Sequence, residues 1–308
     1  MKKHNLLGTV VMICAAAVIM PSAFAADANK PAKPQAEAKT AAKPATAEAT
    51  AAVKPARPDF SVLNGKTGTL SYSIFSEEKV TALMNQVMGT KIKNFVFCNT
   101  MVDGLAMLKS GRADFMMTSD MTADYIIQRN PGMKYIVFGS DNSLVMILRK
   151  DADKLKGEFD AAIGKLKASG KLAEVYKKWI TDLPAGKEPA VTAIEKTNYP
   201  ETVYVGVTGD IPPFDYITAD GKPAGYNVAL LAEIAKLIGK NIELVTVAPQ
   251  AKQVALQSKK IDVFFWQRMP SKKGMAMISK DPDEIEFHKK FLFTEPYVNV
   301  KTVLLMNK

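Results

Sequence analysis

The chain has 308 residues, with 41 Lys and Arg against 31 Asp and Glu and a formal net charge of +10. Eight of those basic residues and three of the acidic ones lie in residues 1–58, so the rest of the chain is only mildly basic and gives no case for a nucleic-acid partner. Its two cysteines, Cys14 and Cys98, are too few for a disulfide framework.

Residues 1–25 have the layout of a secretory signal peptide: Lys2 and Lys3, an apolar run from Leu6 to Met20, and the small-residue site Ala23-Phe24-Ala25. The apolar run is short for a membrane span, which needs ~20 residues. Residues 26–58 are almost wholly Ala, Lys, Pro, Thr and Glu, a composition that cannot bury enough apolar surface to fold. A disordered, partly extended linker is expected there. Its basic character suits an acidic envelope surface, and the compartment implied is the periplasm.

From residue 59 strands and helices alternate, which predicts an α/β fold with mainly parallel sheets. Strands are expected at Thr67–Tyr72, Ile92–Phe97, Ala113–Thr118, Lys134–Phe138 and Ser143–Arg149. Ser76, followed by Glu77 and Glu78, is a helix cap with two acids at the positive helix end. Cys98, after Phe95-Val96-Phe97, is a small core residue. Asp151–Ser169 carries Leu155, Phe159, Ile163 and Leu166 on one stripe, and Leu172–Ile180 follows Gly170. Residues 184–202 form a connector.

Next comes the most informative stretch, Tyr204–Gly239. Val203, Val205 and Val207 alternate as in a strand, a Pro-rich loop and an Asp220-Gly221 turn follow, and Val228, Leu231, Ile234 and Leu237 recur at helical spacing. Asn227 is expected to cap that helix and Gly239 to end it. The remaining elements are strand Asn241–Val247, helix Ala251–Ser258, strand Ile261–Phe265, a long polar loop and a last strand Lys301–Met306.

Five pieces of this half, in order, resemble the first lobe of the amino-acid-binding family of bacterial periplasmic solute-binding proteins. They are Pro213-Phe214-Asp215-Tyr216, Gly225-Tyr226-Asn227-Val228, Ala255-Leu256-Gln257, Lys260-Ile261-Asp262-Val263 and Phe293-Thr294-Glu295-Pro296-Tyr297. The preceding half resembles what should come after them: Leu63-Asn64-Gly65-Lys66, Leu108 to Asp114, Ala168 to Lys171 and Tyr176 to Ile180. The resemblance therefore implies a two-lobed type II periplasmic-binding fold, circularly permuted. Lobe 2 would span 59–140, the hinge strand and closing helices 141–183, and lobe 1 203–308.

The same resemblance implies a protein that closes its lobes on a small polar ligand, an amino acid or a related compound, and delivers it to an ABC transporter permease in the inner membrane. A monomer without enzyme activity is implied. The ligand-binding residues would be Ser73, Thr118, Ser119, Asp120, Asp210, Ile211, Phe214, Trp266, Gln267, Arg268, Met269 and Ser271. Several family devices are missing. Gly274 stands where an Arg would pair with the ligand carboxylate, Ile211 and Pro249 replace the sandwiching aromatics, and Ser119 replaces an Asp, with Asp120 one place late. Two alternatives remain: a secreted dehydratase on the same scaffold, acting on prephenate-like substrates with Asp210 or Asp120 as the acid, or an interaction module without a ligand.

No cofactor is expected, since phosphate-binding and dinucleotide fingerprints are absent from the sequence. Asp281, Asp283, Glu284, Glu286 and His288 match no metal-ligand spacing and suggest a solvated loop. With His4 in the leader, His288 alone would remain, which argues against His-based nucleophilic catalysis.

Overall fold

The computed structural model describes residues 59–183, 187, 189–191, 193–270, 275–276 and 278–308. The expected leader and the Ala/Lys/Pro-rich segment lie outside the described residues, as does part of the connector.

The chain first lays down β1 (Thr67–Leu70), α1 (Glu77–Met88), β2 (Asn94–Phe97), α2 (Met101–Lys109), β3 (Phe115–Ser119) and α3 (Asp120–Arg129). Then comes β4 (Met133–Arg149), followed by α4 (Asp153–Ala168) and α5 (Lys171–Tyr176). After the connector, β5 (Thr202–Val207) leads into a small sheet of β6 (Asp210–Ile211), β7 (Asp215–Ile217) and β8 (Pro223–Ala224). Next are α6 (Tyr226–Ile238), β9 (Asn241–Thr246), α7 (Lys252–Gln257), β10 (Val263–Met269), α8 (Pro282–Lys290), β11 (Phe291–Phe293) and β12 (Val298–Asn307).

The main sheet runs β2-β1-β3-β12-β4-β10-β5-β9, with β11 also on β4. It has two wings. In the first, β2, β1 and β3 are parallel; in the second, β10, β5 and β9 are parallel. Between them, β4 and β12 lie side by side and antiparallel, from Val298 opposite Leu144 to Asn307 opposite Met133. The expected mainly parallel arrangement is therefore only half right. A chain that crosses from one wing to the other and back must make those two crossings in opposite directions. For the same reason Lys134–Phe138 and Ser143–Arg149 are one strand of 17 residues, not two.

Each wing buries apolar side chains on both faces of its sheet. In the second wing one cluster takes Phe159 and Ile163 of α4, Trp179, and Leu230, Leu231 and Ile234 of α6. The opposite face packs Ala255 and Leu256 of α7 and Phe287 of α8 against Ile147 and Phe264. In the first wing Leu108, Met116, Ile126 and Leu305 form one layer, and Phe60, Phe95, Phe115 and Met306 the other. Cys98 is buried, and burial pushes its thiol pKa up.

Local signals explain most helix ends. Ser76 Oγ accepts the Lys79 N–H at 3.3 Å and Glu77 and Glu78 occupy the first turn, as expected. Two expectations fail. The loop expected after β10 contains α8: Asp281 caps it, Pro282 opens it, Asp283 and Glu284 lie at its start and His288, Lys289 and Lys290 at its end. The acidic group is thus the charge pattern of a helix, with Phe287 as its buried anchor. Asn227 is not a cap. It is fully buried in the first turn of α6, and its side chain donates to Asp215 at 2.8 Å. Past α5, residues Lys177–Thr181 continue as a π-helical turn that buries Trp179, so the expected helix to Ile180 is only partly regular.

Asp215, 1% exposed, binds the loop before α6 to the sheet. Its Oδ1 accepts Thr208 N–H at 2.9 Å, Thr208 Oγ1–H at 2.7 Å and Gly209 N–H at 2.9 Å. Its Oδ2 accepts Asn227 Nδ2–H at 2.8 Å and Trp266 Nε1–H at 2.9 Å. Gly225 completes the turn at φ +114, where an added Cβ would stand 2.2 Å from Phe214 O. Asp215→Asn sets an NH2 against two donors and is expected to cost roughly 3 kcal/mol of unfolding free energy. Gly225→Ala is expected to cost on the order of 3 kcal/mol through overlap with backbone. Urea denaturation measures both; unchanged midpoints would show that this network does not hold the loop.

Candidate functional site

The ends of β1, β3 and β5 meet the bulged part of β10 and enclose a cavity of about 300 Å3 between the wings. Open α/β sheets bind ligands at this place, beyond the carboxyl ends of their strands, where loops diverge. The first wing contributes Ser71, Tyr72 and Ser73 after β1, Met101 at the start of α2, and Thr118 and Ser119 at the end of β3. The second contributes Thr208 and Ile211, Pro249 and Lys252, then Phe264, Trp266, Gln267 and Arg268 of β10, and Glu284 of α8.

Trp266 is held by two devices. Its backbone takes φ +70, in the left-handed region, where the pairing of β10 with β4 shifts between Phe264 and Gln267. Its indole N–H is bound to Asp215, and its ring meets Phe214 edge-on with centroids 4.5 Å apart.

Lys252 is 4% exposed, so its ammonium is out of water. Nζ donates to Gln267 Oε1 at 2.9 Å and lies 4.4 Å from the centroid of the Tyr72 ring. Burial pushes its pKa down to about 7. Arg268 donates from Nη1 to Thr302 Oγ1 of β12 at 2.9 Å. Burial lowers its pKa to about 10, with the negative charge of Asp120 acting the other way. Glu284 is the cavity's carboxylate, 7% exposed, with Oε1 3.0 Å from His288 Nε2.

Hydrogen bonds between the wings surround the cavity. Gln250 Nε2 donates to Ser71 O at 3.0 Å and to Cys98 O at 3.1 Å, and Gln253 Nε2 donates to Tyr72 Oη at 2.7 Å. Met101 N–H donates to Asp210 Oδ2 at 2.7 Å. At the rim, Lys79 Nζ lies 2.7 Å from both Asp281 Oδ1 and Asp283 Oδ2.

Seven of the twelve expected site residues line this cavity: Ser73, Thr118, Ser119, Ile211, Trp266, Gln267 and Arg268. Phe214 is fully buried behind Trp266 and does not reach the cavity surface. Asp210 bonds to Met101 across the wings and does not line the cavity; burial raises its pKa, yet its Oδ2 is already engaged. Asp120 lines a neighbouring pocket with Asp124 and Tyr176, and its Oδ1 accepts the Lys301 N–H at 3.1 Å. Met269 lies at the end of β10 beyond the cavity wall, and Ser271 is outside the described residues. Lys252, Met101, Phe264 and Glu284 went unexpected. A lysine opening a helix gives no local sign of burial, because the rings that cover it come from distant parts of the chain.

The chemistry offered is recognition: hydroxyls, two cations, one carboxylate and an aromatic wall. Among the described residues no group of three or more His, Cys, Asp and Glu side chains could hold a metal ion.

Comparison with known proteins places the likeness in one part of the chain. Residues 203–308 match the model of the bacterial extracellular solute-binding proteins, family 3. A probable amino-acid ABC transporter-binding protein of Haemophilus influenzae is 30% identical over 104 residues, which is 34% of each chain. The chain thus matches about a third of the length of that curated relative. Among solved structures, the ligand-binding component of an ABC-type import system from Staphylococcus aureus, with zinc bound, is 15% identical. That alignment covers 79% of this chain and 65% of that one at a TM-score of 0.41. An amino acid ABC transporter substrate-binding protein from Streptococcus pneumoniae, bound to L-arginine, is 13% identical over 79% of this chain and 81% of that one at a TM-score of 0.36. The likeness that the motifs from Pro213 to Tyr297 carry is thus matched independently over the same residues, 203–308, which are similar to the family-3 extracellular solute-binding proteins.

Proposed function

We propose that this chain is a solute-binding protein that holds a small molecule in the cavity between its two wings and hands it to a membrane importer. The observation that carries this is the cavity itself. It is walled by strand ends from both wings, and the wings are joined by two adjacent strands about which they can close on a ligand. The family match over residues 203–308 supports the same reading. In this reading the protein works in the periplasm as a monomer, delivers to an ABC transporter permease and performs no chemistry. The contact residues are the seven expected ones that line the cavity, together with Lys252.

The permuted order of lobes belongs to this proposal. Residues 203–308, which match the family model, come after the residues that resemble its second lobe. Phe60 and Met306 pack in one cluster, so the start and the end of the described chain share a core. Lobe 2 would then comprise 59–140, and lobe 1 would be 203–308 with the helices after β4 packed on it.

The test uses the purified full chain and a panel of amino acids, dipeptides, organic acids, polyamines and purines. A ligand at ~100 times its Kd adds about 2.7 kcal/mol of stability, seen as a raised melting temperature in calorimetry. Trp266 lines the cavity while Trp179, the other tryptophan, is 1% exposed in the core. The same ligand should therefore change the tryptophan fluorescence, and Trp266→Phe should abolish that change. A panel in which no compound raises the melting temperature would overturn the solute-binding reading.

A further inference from the structure

The cavity holds an electrostatic imbalance. Lys252 has three N–H donors and, among the described residues, one protein acceptor, Gln267 Oε1; the rings of Tyr72, Phe264 and Phe287 lie around it, with centroids 4.4, 5.9 and 6.0 Å away. Arg268 is bound to a neutral hydroxyl. Among the described residues neither cation is joined to a carboxylate by an ion pair. Among the described residues the one carboxylate on the cavity wall, Glu284, already faces His288. Asp120 acts on Arg268 from the neighbouring pocket, whereas no carboxylate among the described residues offsets Lys252, so a buried ammonium is left short of an anionic partner.

Resting on the solute-binding reading, we propose that the cavity takes a small organic carboxylate that carries no ammonium group, with Lys252 and Arg268 as its counter-charges. The remaining wall, including Ile211, Phe264, Trp266 and Met101, suits an apolar body, and the volume is at the small end for a ligand site. A free α-amino acid brings an ammonium group whose partner would have to be Glu284, taken from His288, beside two cations that repel it. Inorganic phosphate would leave the apolar wall unused. Burial lowers the pKa of both cations, opposed at Arg268 by Asp120 and at Lys252 by no carboxylate, and an anion beside Lys252 would relieve it.

The ionisable groups that face Lys252 across the cavity are Tyr72 after β1, Arg268 of β10, and Glu284 with its partner His288 on α8. Burial raises the Tyr72 phenol pKa, so it stays neutral where Lys252 titrates. The lysine must be protonated to serve the anion. Carboxylate affinity should therefore fall up to ~10-fold per pH unit above pH 7, with a proton taken up on binding.

The decisive experiment is calorimetric titration of the full chain with three matched pairs that differ only by an ammonium group: isovalerate and valine, 3-phenylpropionate and phenylalanine, succinate and aspartate. Inorganic phosphate is the fourth arm. At least one carboxylate should bind on the order of 10-fold or more tightly than its amino acid, since an unpaired ammonium must be desolvated. Lys252→Met should raise the melting temperature of the free protein, because a desolvated charge is removed, and weaken that carboxylate on the order of 100-fold. The matched pairs need no variant, so the outcome does not hang on whether Lys252→Met folds. Tighter binding of an amino acid would overturn this inference and leave the solute-binding reading standing. Phosphate bound more tightly than every carboxylate would also overturn it. With no binding in any arm the inference falls, and the wider panel above decides separately whether the protein binds solutes at all.

Discussion

The site depends on one buried carboxylate. Asp215 collects five N–H and O–H donors from the end of β5, from α6 and from β10. An ionised carboxylate is an acceptor on both oxygens, so all five donors can point at it; a neutral amide in its place would turn one of its ends into a donor. Among the described residues no basic side chain pairs with it. Its charge is offset by oriented dipoles alone, which resist displacement only while each stays in place. That fixes the Pro-rich loop, the first turn of α6 and the indole of Trp266 relative to one another, and so sets the second-wing side of the cavity.

Against this satisfied anion stands a pair of cations with no ion-pair partner among the described residues. Lys252 and Arg268 occupy a region where taking a charge out of water costs stability, and their direct contacts are a glutamine, a threonine and aromatic faces, with Asp120 acting on Arg268 from the neighbouring pocket. Structural ion pairs elsewhere in the same chain are better matched. Arg149 lies 2.7 Å from Asp262, and Lys240 lies 2.9 Å from Glu158 and 2.6 Å from Glu201. Poorly compensated charge confined to one cavity is the arrangement found where a ligand completes the electrostatics.

Much of the layout was legible in the sequence where the signal was local. The strands around Phe95, Phe115 and Val205, the caps at Ser76 and Gly239, and the buried Cys98 all follow from alternation, helix-end chemistry and apolar neighbours. What could not be read depended on distant partners. Asn227 has the right composition for a cap, but a buried carboxylate twelve residues earlier binds its amide more strongly than a frayed N–H would. Nothing near Lys252 in sequence marks it as buried, because Tyr72, from the other wing, helps to cover it. The antiparallel course of β4 and β12 has no signature within either strand. By contrast, α8 was available: Asp281-Pro282 with two acids after it and His-Lys-Lys at its end is a helix in charge pattern, although its polar composition suggested a loop.

The two long strands also fix the mechanics of the molecule. Among the described residues covalent continuity between the wings runs through β4 and β12, which lie next to each other, so the wings are joined along a narrow ribbon. A pair of adjacent strands bends more easily across its face than it shears along its hydrogen bonds. Its pairing slips at Val300, Thr302 and Val303, and there Thr302 Oγ1 accepts both Asn142 Nδ2–H at 2.7 Å and the guanidinium of Arg268. The cavity's arginine is thus fastened where the pairing of the two strands is irregular, so charge and flexure meet at a single hydroxyl.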